Sequence, residues 1–171
     1  MRDISYFVAS SLDGFIAGPN GETDWLASDG DYGYTEFYRS IDTVVMGRKT
    51  FELSLSFPEY PYSGKTAHVF THRTRLPKRP GVIAVKQPPD AYLAELKQKD
   101  GGTIWFVGGG ELGGALMEAG VIDELVLTVH PVTLGRGIPL FRPHDRRTAW
   151  RVAALRSWPN GLVQTQLRRR E

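Results

Sequence analysis

Ile104-Trp105-Phe106-Val107-Gly108-Gly109-Gly110-Glu111-Leu112 runs a short apolar segment into three consecutive glycines and then into an amphipathic stretch. The order is that of a buried strand, a bare-backbone turn and a helix start. A turn without Cβ atoms exposes backbone N–H groups and lets a phosphate approach closely. It also lets a helix pack tightly on a strand, and the two readings are compatible. The spacing is not the G-x-G-x-x-G fingerprint, and no acidic residue follows a second strand at the expected offset.

A second turn of this kind lies upstream. Val44-Val45-Met46 leads into Gly47-Arg48-Lys49-Thr50-Phe51, where a helix start would supply N–H groups, two cations and a hydroxyl. Those four residues read equally as a plain turn with a solvated basic face. A third candidate is Thr71-His72-Arg73, just beyond an apolar run. Ligands of open α/β sheets bind at the carboxyl ends of the strands, and a guanidinium matches a ribose 2′-phosphate. Taken alone it reads first as an exposed turn. Together the three suit one phosphate-bearing ligand.

Working outward, strands are expected over residues 4–10, 43–46, 66–71, 82–85, 103–107 and 124–130, and helices over 34–40, 48–53 and 90–98. Leu112, Ala115, Leu116 and Ala119 recur with helical spacing, and Gly120 caps that helix. Residues 150–157 and 162–167 flank Pro159-Asn160-Gly161, a hairpin signal. Residues 11–23 form a long loop with a possible turn at Gly18-Pro19-Asn20-Gly21. Alternating strands and helices followed by a hairpin give an α/β fold. It has three α/β/α layers, a mostly parallel mixed sheet of about eight strands and an antiparallel C-terminal edge. One domain over residues 1–171 is expected.

Composition bounds the rest. The 171 residues are 41% hydrophobic and 23% charged, which suits one ordinary globular core. A net charge of +2 gives no argument for nucleic acid or an anionic membrane, and Arg168-Arg169-Arg170 reads as a solvated basic end. There is no cysteine, hence no disulfide or thiolate chemistry, and the four histidines match no zinc spacing. No metal site is expected. No run reaches transmembrane length, and a cytoplasmic location is expected. Among the acids, Asp13 sits in an Asp-Gly turn and reads first as a backbone cap, while Asp31, Glu36 and Glu52 read as surface charges. Trp25 is either a core aromatic or a pocket wall.

Five segments in order carry a resemblance: Ser11-Leu12-Asp13-Gly14-Phe15-Ile16-Ala17, Val45-Met46-Gly47-Arg48-Lys49-Thr50-Phe51-Glu52, Thr71-His72-Arg73, Val107-Gly108-Gly109-Gly110-Glu111-Leu112 and residues 131–141, Pro131 to Phe141. They resemble the dihydrofolate reductase-like superfamily, in the branch of the C-terminal reductase domain of bacterial riboflavin-biosynthesis proteins. The resemblance covers nearly the whole chain. It implies NADPH as cofactor and a homodimer. Gly47, Arg48, Lys49 and Thr50 would hold the pyrophosphate and ribose, together with Val107 through Leu112. Thr71, His72 and Arg73 would surround the 2′-phosphate, and Ala9 and Ile16 would lie on the nicotinamide. The loop from Asp13 to Trp25 would cover the active site, making these two residues the candidates for substrate contact.

The sequence departs from the resemblance at the substrate side. The helix position that carries a carboxylate in dihydrofolate reductase holds Tyr34 here, with Asp31 one turn away. The Ala-Asp-Asp-Pro-like segment of the riboflavin branch is replaced by Phe51-Glu52-Leu53-Ser54-Leu55-Ser56-Phe57-Pro58. The expectation is an NADPH-dependent reductase of a small pterin- or pyrimidinone-like heterocycle, its proton coming from water, Asp31 or Tyr34. The alternative is a non-catalytic NADP(H)-binding protein of the same fold.

Overall fold

The computed structural model describes residues 1–170. The elements in order are β1 (Ile4–Ser11), β2 (Phe15–Ala17), α1 (Tyr34–Ser40), β3 (Ile41–Gly47), α2 (Arg48–Ser54), β4 (Thr66–Phe70) and β5 (Val82–Val85). There follow α3 (Pro89–Lys97), β6 (Thr103–Val107), α4 (Gly110–Ala119), β7 (Glu124–His130), β8 (Ile138–Pro139), β9 (Trp150–Ser157) and β10 (Val163–Arg169). Eight strands form one sheet in the order β5-β4-β3-β6-β1-β7-β10-β9. The first six are parallel neighbours, and β10 runs antiparallel to both β7 and β9.

Each face of the sheet carries its own core, as a three-layer fold requires. Ile4, Tyr6 and Phe106 meet Leu93 and Leu96 of α3 and Leu116 and Met117 of α4 on one side. Val44, Met46 and Trp105 meet Phe37 of α1 and Phe51 of α2 on the other. The alternation along β1 is the cause: Tyr6 points to the first core and Phe7 to the second. The helix after the glycine turn buries Gly113, Leu116 and Met117, with Gly113 against the Phe106 ring. Ala115, expected on that face, is exposed. The face turned to the core is thus the one that carries Gly113, Leu116 and Met117, a Cβ at Gly113 lying in ordinary contact with the Phe106 ring.

The long loop after β1 contains an element that the periodicity did not reveal. Phe15–Ala17 pairs antiparallel with Ile138–Pro139, making a separate two-stranded sheet. Three and two residues are too short for a period to register, so the pairing partner, far off in sequence, makes the strand. Among the described residues, no helix is long and apolar enough to cross a membrane.

Candidate functional site

The sheet order brings the three candidate turns together. β4, β3 and β6 are parallel neighbours, with Gly47 beside Phe70 and Met46 beside Val107. Their carboxyl ends therefore release Thr71-His72-Arg73, Gly47-Arg48-Lys49-Thr50 and Gly108-Gly109-Gly110 along one edge. The turns also touch. A Cβ on Gly108 would come within 2.6 Å of Thr50 Oγ1, and Gly108 has φ +106, a conformation that favours glycine. A Cβ on Gly109 would come within 2.7 Å of Ile16 Cδ1. Beneath them Tyr6 donates its hydroxyl to the Gly108 carbonyl at 2.7 Å. Burial pushes the ionisation of that phenol well up, so it stays a donor.

One carboxylate joins two of the cations. Glu52 accepts from Arg48 Nη1 at 2.5 Å across one helical turn and lies 3.6 Å from Arg73 Nη1. Arg73 is held further by its N–H, which donates to Thr71 Oγ1 at 3.0 Å. Thr71 is buried, while Lys49, His72 and Arg73 are exposed. Backbone left bare by glycine, the hydroxyls of Thr50 and Thr71, the guanidinium groups of Arg48 and Arg73 and two helix starts at one edge can bind a phosphorylated ligand.

The other half lies beyond β1. Ala9 pairs with Thr128 and Ser11 with His130, so these four side chains share one face. Trp25 stands edge-on to His130 at 5.4 Å, and its indole N–H donates to the Glu22 carbonyl at 3.2 Å. His130 is buried, its Nδ1 has no partner, and burial depresses its basicity. Tyr34 packs its ring on Phe7, Tyr38 and Trp105, and burial raises its ionisation.

The structure engages both Asp13 and Asp31 in hydrogen bonds. Asp31 accepts from the backbone N–H of Thr35 at 3.0 Å and from its hydroxyl, which lowers its pKa. Asp13 accepts from Ser11 Oγ, from Leu134 N–H at 3.0 Å and from Gly135 N–H at 2.7 Å. The Ser11 hydroxyl and those N–H groups bring its pKa down to about 2. The cap anticipated for Asp13 is thus long-range: it ties the loop after β1 to the loop before β8.

Two groups went unnoticed in the sequence. Gln164, buried in β10, donates from Nε2 to the Tyr32 carbonyl and to Thr128 Oγ1, both at 2.9 Å. Tyr32 itself has φ +50, and its hydroxyl is shared with Asp29 and Asn160. The C-terminal hairpin thereby holds the segment that opens α1. No local pattern marks a glutamine for this, since Tyr32 lies more than a hundred residues earlier and Thr128 is on another strand. The second is Arg142, whose guanidinium reaches the first turn of α4.

Residues 2–164 match the family model described as the RibD C-terminal domain. The uncharacterized protein YwjB of Bacillus subtilis is 41% identical over 155 residues, covering 88% of this chain and 89% of its own. A solved candidate riboflavin biosynthesis protein from Shewanella sp. PV-4 superposes with TM-score 0.88 at 30% identity, over 100% of both chains. An Enterococcus faecalis dihydrofolate reductase, solved with NADP(H), shares the fold at TM-score 0.72 and 22% identity, over 99% of this chain and 97% of that one. With the eight-stranded mixed sheet and the converging turns already in view, the chain belongs to the RibD C-terminal domain family.

Proposed function

We propose that this protein is an NADPH-dependent reductase of a small pterin- or pyrimidinone-like heterocycle. The observation that carries the reading is the meeting of Gly108 with Thr50 at an edge lined by Arg48, Lys49 and Arg73. A bare backbone beside a hydroxyl and guanidinium groups fits the phosphates of a dinucleotide. The cofactor would supply the hydride. Gly47 to Thr50 and Gly108 to Gly110 would hold its diphosphate, and Thr71 to Arg73 its 2′-phosphate. Arg73 would exchange its 3.6 Å ion pair with Glu52 for a phosphate. Ala9 and Ile16 would lie along the nicotinamide. Trp25, on the loop joined to β8, would exclude water from the hydride transfer. Tyr34 would face the substrate as a neutral group, and Asp31, exposed and bonded to Thr35, would serve the proton through water. Two copies would associate as a homodimer, and sedimentation as a monomer at working concentration would remove that part.

The lack of an unengaged carboxylate at the start of α1 favours a second reading, a protein that binds NADP(H) without turnover. Saturating NADPH raises the melting temperature under both readings, because it binds the folded state alone. No rise rejects both. NADPH oxidation over a panel of pterins and pyrimidinones separates them. Arg73→Ala should weaken NADPH about tenfold and leave NADH nearly unchanged, since only NADPH carries the 2′-phosphate. Equal losses would remove Arg73 from that role.

A further inference from the structure

After β8 the chain crosses α4 as a strap over residues 141–148, and this strap is fixed on both sides. Ahead of it, β8 pairs with β2, and Leu140 N–H donates to the Gly14 carbonyl at 2.8 Å. Behind Arg142, the Glu118 carboxylate accepts from the N–H groups of Asp145 at 2.9 Å and Arg146 at 3.2 Å. Arg146 then lies so close to Gly120 that a Cβ there would meet its guanidinium at 2.4 Å.

Arg142 is thereby set against one face of α4. Gly110 and Gly114 stand one turn apart. A Cβ on Gly114 would be 3.5 Å from Arg142 Cβ, and one on Gly110 would be 3.9 Å from Arg142 Nη2. Both distances are ordinary contacts, so Arg142 packs along this face of the helix from Gly114 to Gly110. The guanidinium lies over the first turn of α4, beside the Gly108-Gly109-Gly110 turn. A cation there opposes the helix dipole. Glu111 offers little compensation: it is 4.0 Å away with a side chain 93% exposed. Nor is the guanidinium covered, since 46% of the side chain is exposed. A cation held against the positive end of a helix becomes favourable when an anion sits between them.

We propose that Arg142 binds the diphosphate of the dinucleotide from the side opposite Arg48. The inference rests on the cofactor reading given above and adds a residue to it. It also joins the cofactor to the loop after β1, because β8, only three residues before Arg142, is paired with β2 on that loop. The diphosphate is common to NADPH and NADH, so Arg142 should serve both, unlike Arg73.

The experiment is titration of the full chain with NADPH and with NADH, followed by tryptophan fluorescence, for the wild type, Arg142→Ala and Arg142→Lys, with thermal melts of each. Arg142→Ala should weaken both dinucleotides by about tenfold, and Arg142→Lys should keep part of the affinity for both. The melting temperatures without ligand should stay close to the wild type, because the guanidinium makes no close pair. Unchanged affinity in Arg142→Ala overturns the proposal. So does a loss confined to NADPH, which would put Arg142 on the 2′-phosphate. A melting temperature lowered in step with affinity, and restored by lysine without restoring binding, overturns it as well. Wild-type protein that binds neither dinucleotide overturns the cofactor reading itself, a distinct outcome.

Discussion

The two halves of the candidate site are held by different kinds of contact. On the β4–β3–β6 side, three adjacent parallel strands end at one edge, and the bare glycine backbone after β6 meets side chains there: Gly108 against Thr50 and Gly109 against Ile16 of β2. On the β7–β10–β9 side, the segment opening α1 is held by side chains of the C-terminal hairpin: Gln164 on the Tyr32 carbonyl, Asn160 on the Tyr32 hydroxyl, Trp158 edge-on to the Tyr32 ring at 5.1 Å. The first kind of contact tolerates little change because a missing Cβ has no substitute. The second depends on a few hydrogen bonds, so its residues can vary while the frame stays.

The sharpest way to break the comparison is Gly108→Ala. The added Cβ meets Thr50 Oγ1 at 2.6 Å, and φ +106 is strained for any L side chain. Strain of this kind costs up to about 3 kcal/mol. Thr50 must also move, so NADPH binding should fall by at least about tenfold along with stability. Denaturant melts and NADPH titrations read the two effects. Unimpaired binding would mean that the glycine turn serves packing alone.

The next effect belongs to the other half. Gln164→Leu keeps the volume and removes both donors, leaving the Tyr32 carbonyl and Thr128 Oγ1 without them. A loss of about 2 kcal/mol is expected for buried groups left unpaired. NADPH affinity should change little, since the hairpin does not border the cofactor turns. Equal damage to stability and cofactor binding would show the halves to be one unit and would break the division.

The same contrast explains what could be read in the chain. The strand at Thr103–Val107, the helix at Tyr34–Ser40, the Asn160-Gly161 hairpin and the Gly120 cap are local matters of period, turn chemistry and φ, and the structure has them where the sequence implies. The convergence of the three turns was legible for the same reason: each turn is a contiguous string, and the parallel order of β4, β3 and β6 aligns them. The β2–β8 pair was not legible, because two or three residues carry no period and the strands are joined only across more than a hundred positions. Gln164 and Arg142 escaped likewise. A glutamine in a strand and an arginine in a strap look like surface residues until the fold supplies Tyr32 and Gly110.

The smallest effect tests the seam between the halves, where Asp13 ties the loop after β1 to Leu134 and Gly135. Hydrogen bonds from Ser11 and from those N–H groups hold its pKa at about 2, against an ordinary 3.8. The folded state therefore binds its proton less readily than the unfolded state. The stabilisation is complete above about pH 4 and is lost as the pH falls toward 2. Asp13→Asn should lower the melting temperature slightly at neutral pH and remove this component of the acid sensitivity, so that the two proteins converge near pH 2. Because the carboxylate is exposed, water screens part of the gain, and the shift should be the least of those predicted here. The informative readout is the closure of the loop: if Asp13 couples the loop to β8, Asp13→Asn should speed proteolysis within residues 13–25 and leave cleavage at the β9–β10 hairpin unchanged. Acceleration at both places would assign Asp13 to global stability, and at neither would release the loop from the β8 segment that leads into Arg142.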